Sequence, residues 1–321
     1  MTESEQFAIR CVGLSKSYGK AEALKGLDLA VPANSIFGLL GPNGAGKSTT
    51  MKLLTRQIVP TSGQAWVAGA PITGHTIDVR SRIGYLSEQP AFYSWMTGPE
   101  FLNFVGELFG LAPAARRQRA NELLKLVDLT HAKRKRISAY SHGMRQRLGI
   151  AQALMSQSEV LFLDEPVSAL DPLGRKEVLE LLANLKGKST VFFSSHILAD
   201  VDRVCDEVAI LHHGHLIVQA TTQELKEQYA RSAITIELET DASMLLNLLQ
   251  QETYVQKIEI KGTQARILVS NLALAKRLLP ELLVREHLPL LRYEAALPTL
   301  EDVFVQLVNG ERTDRGKEVE I

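Results

Sequence analysis

No charge of either sign is in excess, since 36 lysines and arginines stand against 36 aspartates and glutamates in 321 residues. Sequence-independent binding to nucleic acid draws on a basic surplus, so any such role would rest on a local patch, and no nucleic-acid partner is expected. Cysteine is scarce. Cys11 and Cys205 are the only two, fitting neither a disulfide framework nor a zinc cluster, which suits a reducing compartment. No apolar run approaches the ~18 residues of a membrane span. The opening MTESEQFAIR has neither the basic nor the apolar region of a secretory leader. Internal repeats and low-complexity stretches are missing as well. These absences lead us to expect a globular, cytoplasmic, non-spanning chain, and its 45% hydrophobic content is enough for two cores.

What is present is organised around residues 36–58, IFGLLGPNGAGKSTTMKLLTRQI. They read as an apolar strand (Ile36 to Leu40), a glycine-rich turn, and a helix with Met51, Leu54 and Ile58 on its buried side. Gly41, Gly46, Lys47 and Ser48 fill the pattern G-x-x-x-x-G-K-[ST], the P-loop. Glycines let the backbone bend around an anion so that successive N–H groups face it, and the helix adds the positive end of its dipole. Lys47 would then meet the β- and γ-phosphates, and the Ser48 hydroxyl can ligate Mg²⁺.

Residues 7–31 alternate apolar and polar and predict antiparallel strands beside this core, with Tyr18 in the turn between them. Its ring could stack on a purine base or be an ordinary half-buried strand tyrosine. Short strands follow, QAWVAG and then RIGYLSEQ, the second ending at Gln89 beside Pro90. Thr97 with Glu100 forms a capping box before a helix carrying Phe101, Phe104, Val105 and Leu108. A second helix is expected over about 113–128, then a solvated charged rim from Lys133 to Arg136. A third, over 140–155, is capped by Ser141 and buries Met144, Leu148, Ala151 and Met155.

The continuous apolar run VLFLDEP reads as a parallel strand buried on both faces and ending in Asp164 and Glu165. A helix over about 172–186 and a second buried strand, STVFFSSH, ending at His196, come next. Three strands thus end in polar or phosphate-binding residues, where open parallel sheets bind ligands. Residues 207–219 form a hairpin turning at Gly214. His212, His213 and His215 invite a metal reading, but no carboxylate or cysteine joins them and successive strand residues face opposite ways. Beyond a helix near 221–230, the order βαββαβ and a closing helix resemble a ferredoxin-like domain, with a charged tail expected to be mobile.

Together, GPNGAGKST, Gln89, AYSHGMRQR, VLFLDEP, SALD (Ser168 to Asp171) and His196 stand in the order and approximate spacing of the ATP-binding cassette ATPases. The chain resembles that family over residues 7 to about 230. Residues 231–309 look like the small accessory domain of exporter-type cassettes that pair with a separately encoded membrane subunit. The implied fold is α/β: a P-loop NTPase core with an antiparallel β subdomain and a helical insert over about 90–157, plus a small α+β domain over 231–309 and a tail over 310–321. The resemblance implies ATP and Mg²⁺ as cofactors. Gly41, Pro42, Asn43, Gly44, Ala45, Gly46, Lys47, Ser48 and Thr49 would hold the phosphates, Tyr18 would stack on adenine, and Ser48, Gln89 and Asp164 would hold Mg²⁺ directly or through water. Glu165 would polarise the attacking water, with Lys47, Gln89 and His196 completing the catalytic set and His196 contacting the γ-phosphate.

In this family Ser141 and Gly143 belong to a signature, usually LSGGQ, that closes over the nucleotide of an opposing subunit, and Asp171 links the two sites. Here it reads YSHGM, with His142 for the first glycine and Met144 for glutamine, departures that bear on hydrolysis rate more than on identity. The expectation is the ATPase subunit of a membrane exporter. It would work as a homodimer or heterodimer of cassettes on separate transmembrane permease subunits, peripheral on the inner face of the cell membrane. The rivals are a soluble cassette acting on ribosomes or DNA, which generally has two cassettes or a coiled-coil insert, and an importer ATPase.

Overall fold

The computed structural model describes residues 7–74, 79–168, 170–229, 233–250, 252–296, 299–301, 303, 304 and 307. The chain divides into two units, Met1–Thr222 and Gln223–Ile321.

In the first unit β1 (Phe7–Tyr18) and β2 (Ala21–Pro32) form the antiparallel pair that the alternation predicts. With β4 (Ser62–Val67) and β5 (Ala70–Pro71) they make a sheet of order β2-β1-β4-β5. The second sheet holds β3 (Ile36–Leu40), β6 (Ile83–Leu86), β7 (Val160–Asp164), β8 (Thr190–Ser195), β9 (Glu207–His212) and β10 (His215–Thr221), in the order β10-β9-β3-β8-β7-β6. All its pairings are parallel except β9 with β10, the hairpin. Every residue of β3, β7 and β8 is buried, as runs covered on both faces must be. Phe192 stacks on Phe37, ring centroids 5.5 Å apart, and meets Phe162 edge-to-face at 5.6 Å. The helix after β3, α1 (Lys47–Leu54), puts Met51, Leu53 and Leu54 into the same core, while Ile58 packs on it from beyond the helix end.

Between β6 and β7 the chain leaves the sheet for α2 (Gly98–Leu108), α3 (Pro113–Leu126) and α4 (His142–Ala153). The Thr97–Glu100 capping box is formed in both directions. The helix expected over 140–155 starts at His142 and buries Leu148 and Ala151, with Met155 buried just beyond its end, but Met144 is only half-buried and Gln146 is buried instead. One strand is shorter than its sequence suggests. β6 stops at Leu86, opposite Leu163, because its neighbour β7 turns away at Glu165 and leaves no ladder to follow, so Gln89 lies exposed in the loop beyond. After β7 come α5 (Pro172–Ala183), α6 (Leu198–Val204) and, following β10, α7 (Thr222–Tyr229).

The second unit takes in α7 from Gln223 onward and then runs β11 (Ala233–Leu238), α8 (Met244–Leu249), β12 (Val255–Lys261), β13 (Gln264–Val269), α9 (Leu272–Arg285), β14 (Leu290–Ala296). Its antiparallel sheet has the order β12-β13-β11-β14, which places the first and third strands in the centre as a ferredoxin-like domain does. Ile234, Ile236, Ala265 and Ile267 pack from the sheet against Leu245, Leu279 and Leu283 from the helices. Helical geometry returns at 300, 301, 303, 304 and 307. The junction expected at 230/231 and the tail over 310–321 lie outside the described residues.

Candidate functional site

Four parallel strands, β3, β6, β7 and β8, run the same way, so their carboxyl ends share one edge of the sheet. There the chain places the P-loop after β3, the Gln89 loop after β6, Asp164 and Glu165 at the end of β7, and His196 after β8.

The loop's shape depends on glycine. Gly41 has φ 155°, and a Cβ there would come within 2.4 Å of the Leu211 carbonyl oxygen. Gly46 caps α1 at φ 107°, and a Cβ on it would sit 2.8 Å from the Ala23 carbonyl oxygen. Among the described residues no side chain caps α1, so its leading N–H groups and the dipole they terminate are open to an anion. The Lys47 ammonium curls back over the loop, donating to the Gly41 carbonyl at 2.6 Å and lying 4.0 Å from Glu165 Oε1. Burial pushes its pKa below the ordinary lysine range, while the carboxylates of Glu165, Asp164 and Glu88 pull it back up. That balance suits a cation whose partner is to be a phosphate. Ser48 and Thr49 are half-buried at the start of the helix, and Pro42, Asn43 and Gly44 are exposed on the loop's crest.

Asp164 and Glu165 are both buried, and one hydroxyl serves them both. Ser194 Oγ donates to Asp164 Oδ1 at 2.5 Å and accepts the Glu165 N–H at 3.0 Å. Glu165 Oε2 meets His196 Nδ1 at 2.9 Å. An ionised carboxylate only accepts, so the imidazole donates through Nδ1. Lys47, Asp164, Glu165 and His196 are therefore one cluster, connected through Ser194, and the Asp164 carboxylate is a hard oxygen donor of the kind that suits Mg²⁺.

Tyr18 ends β1 with half its surface exposed, so it is no core tyrosine, and the Lys16 ammonium lies 5.2 Å over its ring. Ser141, Gly143 and Asp171 stand apart from this cluster. They line a cleft of about 390 Å³ with His131 and Arg147, and no P-loop residue lines it. Ser141 caps α4 by accepting the Met144 N–H at 3.2 Å. This contact is made by backbone, so methionine at 144 does not disturb it. Asp171 caps α5 by accepting the Gly174 N–H at 3.1 Å. His142 is exposed.

Three contributions went unnoticed in the sequence. That of Ser194 is one, and a polar residue inside an apolar buried strand was the available signal. Gln146 makes another, donating through Nε2 to the carbonyls of Glu165 and Pro166. The third is that of Gly214, whose N–H donates to the Ala45 carbonyl at 3.1 Å while its own carbonyl accepts the Lys25 N–H at 2.9 Å. The hairpin that invited a metal reading thus braces the P-loop. His212 and His215 face each other across it, and His213 takes the turn at φ 49°.

Residues 24–168 match the family model for ABC transporters, and residues 221–308 match that of the C-terminal domain of DrrA1-3-like ATP-binding proteins. An uncharacterised ABC transporter ATP-binding protein of Bacillus subtilis, YxlF, is 41% identical over 92% of this chain and 98% of its own length. The chain belongs to the ABC transporter ATP-binding proteins. It is an ABC ATPase, the energising subunit of a transporter. The daunorubicin/doxorubicin resistance ATP-binding protein DrrA of Streptomyces peucetius is 34% identical over 97% of this chain and 95% of its own. Among solved structures, the ATP-binding subunit of an ABC transporter superposes with a TM-score of 0.64 at 29% identity, covering 69% of this chain and 93% of that one. The ABC match falls wholly within the first unit, so ATP binding belongs to that unit.

Proposed function

We propose that this ABC ATPase drives export, working as a pair of cassettes on separately encoded transmembrane subunits at the inner face of the cell membrane. The observation that carries the reading is the connected cluster of Lys47, Asp164, Glu165 and His196 beneath an uncapped helix N-terminus. Residues 41–49 would wrap the phosphates, with Lys47 on the β- and γ-oxygens and Tyr18 stacked on the adenine. Ser48 and Asp164, with Gln89 from its exposed loop, would hold Mg²⁺, which when bound neutralises charge building on the phosphates. Glu165 would polarise the attacking water, and His196, released from Glu165, would turn to the γ-phosphate. Ser141 and Gly143 lie in a cleft that excludes their own P-loop, which supports their serving the nucleotide of a second cassette, with Asp171 between the sites.

Export is favoured by the DrrA-like accessory domain and by the drug-resistance relative. Among the described residues no helix is long and apolar enough to cross a membrane, so the pathway would come from partner subunits. Their dock would be the segment before α2. There Phe92 packs edge-on to Phe101 and Tyr93 to Phe104, while Tyr93 and Trp95 stay exposed.

The test is Glu165→Gln, which keeps size and hydrogen bonding but removes the charge and the proton acceptor. Turnover should fall at least about a hundredfold. Sedimentation should show a dimer that accumulates with Mg-ATP and not with ADP, and that Ser141→Arg abolishes. A monomer well above the ATP dissociation constant, with the membrane partner present in detergent, would refute the sandwich.

A further inference from the structure

The backbone of Glu165 is strained and held from both ends. Its φ is 50°, the left-handed region that a side-chain-bearing residue adopts at a cost and keeps only where its surroundings over-determine it. Its N–H is fixed by Ser194 Oγ at 3.0 Å. Its carbonyl collects Ser168 Oγ at 3.1 Å, the Ser168 N–H at 3.4 Å and Gln146 Nε2 at 3.3 Å. Of these donors Gln146 alone comes from outside the turn, and its Nε2 also donates to the Pro166 carbonyl at 3.1 Å.

Chemistry dictates which way this amide faces. Two carbonyls can be met only by an NH₂, which has two protons to give. The consequence is that Oε1 is buried with no hydrogen-bond partner among the described residues, on a residue only 1% exposed. An apolar residue of the same length would fill the place without that loss. What glutamine adds is the grip on the main chain, and it does so from α4, the helix that Ser141 caps and that carries Gly143.

We propose that Gln146 is a positioning residue for ATP hydrolysis: it ties the helix bearing Ser141 and Gly143 to the left-handed turn at Glu165, and so keeps the Glu165 carboxylate between Lys47 and His196. Contact made at the second phosphate site is thereby linked, through one helix, to the glutamate of the same chain. The proposal rests on Glu165 acting on the attacking water.

The experiment compares Gln146→Met with the parent in the full chain, alone and combined with Glu165→Gln. Methionine keeps length and fills the core but donates nothing. We expect kcat to drop about tenfold to a hundredfold, as misplacing a catalytic group does. ATP affinity should stay within about twofold, and the melting temperature should fall modestly, because the buried Pro166 carbonyl loses its donor while the orphaned Oε1 is removed. A purely structural glutamine predicts a lower melting temperature with kcat of the folded enzyme unchanged. In the Glu165→Gln background the second change should alter the residual rate by less than about twofold, since both act through one carboxylate. A normal kcat in Gln146→Met beside a deficient Glu165→Gln overturns this proposal alone, as does the same fractional loss in both backgrounds. A fully active Glu165→Gln overturns the reading of Glu165, and this proposal with it. If Gln146→Met does not fold, Ser168→Ala removes another donor to the same carbonyl at an exposed position and should lower kcat by a smaller factor. An unchanged rate there would also overturn the clamp.

Discussion

The two units of this chain are both built from strands and helices, yet among the described residues the clustered chemistry lies in the first. In the cassette β3, β7 and β8 run parallel and are buried throughout, and their carboxyl ends share one edge, where Asp164, Ser194 and Ser195 gather. In the second unit every pairing among the described residues is antiparallel, and polar residues are spread along the strands at alternate positions, as in β13, whose first four residues run exposed, buried, half-buried, buried. Charges there pair locally along one strand: Lys257 meets Glu259, and Arg292 meets Glu294. The difference teaches why parallel sheets recur as nucleotide sites. Parallel strands bring the ends of distant segments to one edge, while antiparallel strands send successive ends to opposite edges.

Removing the cation from the shared edge should have the largest effect. Lys47→Ala deletes a charged hydrogen-bond donor worth about 1.5–3 kcal/mol, so ATP binding should weaken by roughly ten- to a hundredfold or more. Circular dichroism should show the fold intact, since the ammonium packs against loop carbonyls rather than in the apolar core. Near-normal affinity and turnover would break the contrast by showing that the edge does not depend on its lysine.

The second unit should answer to stability instead. Tyr254 is buried, and its hydroxyl has no hydrogen-bond partner among the described residues. Burial, with help from Glu252 and Tyr293, pushes its pKa from 10.0 up to about 12. The folded state keeps the phenol neutral where the unfolded chain has begun to ionise, so this group's contribution to stability is fully present below pH 10 and is lost as pH rises toward 12. Tyr254→Phe should leave ATPase activity unchanged and stabilise the chain by about 1 kcal/mol at neutral pH, because it removes an unpaired buried hydroxyl. Melting curves at about pH 8 and about pH 11, on either side of the ordinary tyrosine range, test both parts, and the variant should lose less stability between them than the parent. An equal loss would place the alkaline sensitivity elsewhere.

The smallest expected effect sharpens the comparison most. A chain ending at Tyr229 keeps every residue of the cluster, and its ATP affinity should stay within about twofold of the full chain's, a change under about 0.5 kcal/mol. Loss of binding by a folded truncation would mean that the second unit completes the site.

Much of the cassette was legible because its signals are local. The P-loop is contiguous, the apolar runs of β3, β7 and β8 name their own burial, and Thr97 with Glu100 announces a helix start. The end of β6 was not legible, because a strand continues only as far as its neighbour does, and β7 stops pairing with it at Leu163. That Gln146 rather than Met144 is buried was hidden for a similar reason. Helical spacing marks a face, but what that face meets decides whether a buried position takes an apolar group or a donor.

By itself the sequence determined the phosphate loop, the strands that carry the acidic pair and the histidine, and the βαββαβ order of the second unit, since each depends on residues close together in the chain, while α6 (Leu198–Val204) of the first went unread. Only the tertiary structure decided which strands are neighbours, and so that Ser194 bridges Asp164 and Glu165, that Gln146 grips the Glu165 carbonyl, and that Gly214 braces Ala45. Those contacts join residues far apart in sequence and use side chains and backbone groups common everywhere. Their meaning comes from position in the packed sheet, where a buried polar group must find its partner wherever the fold has placed one.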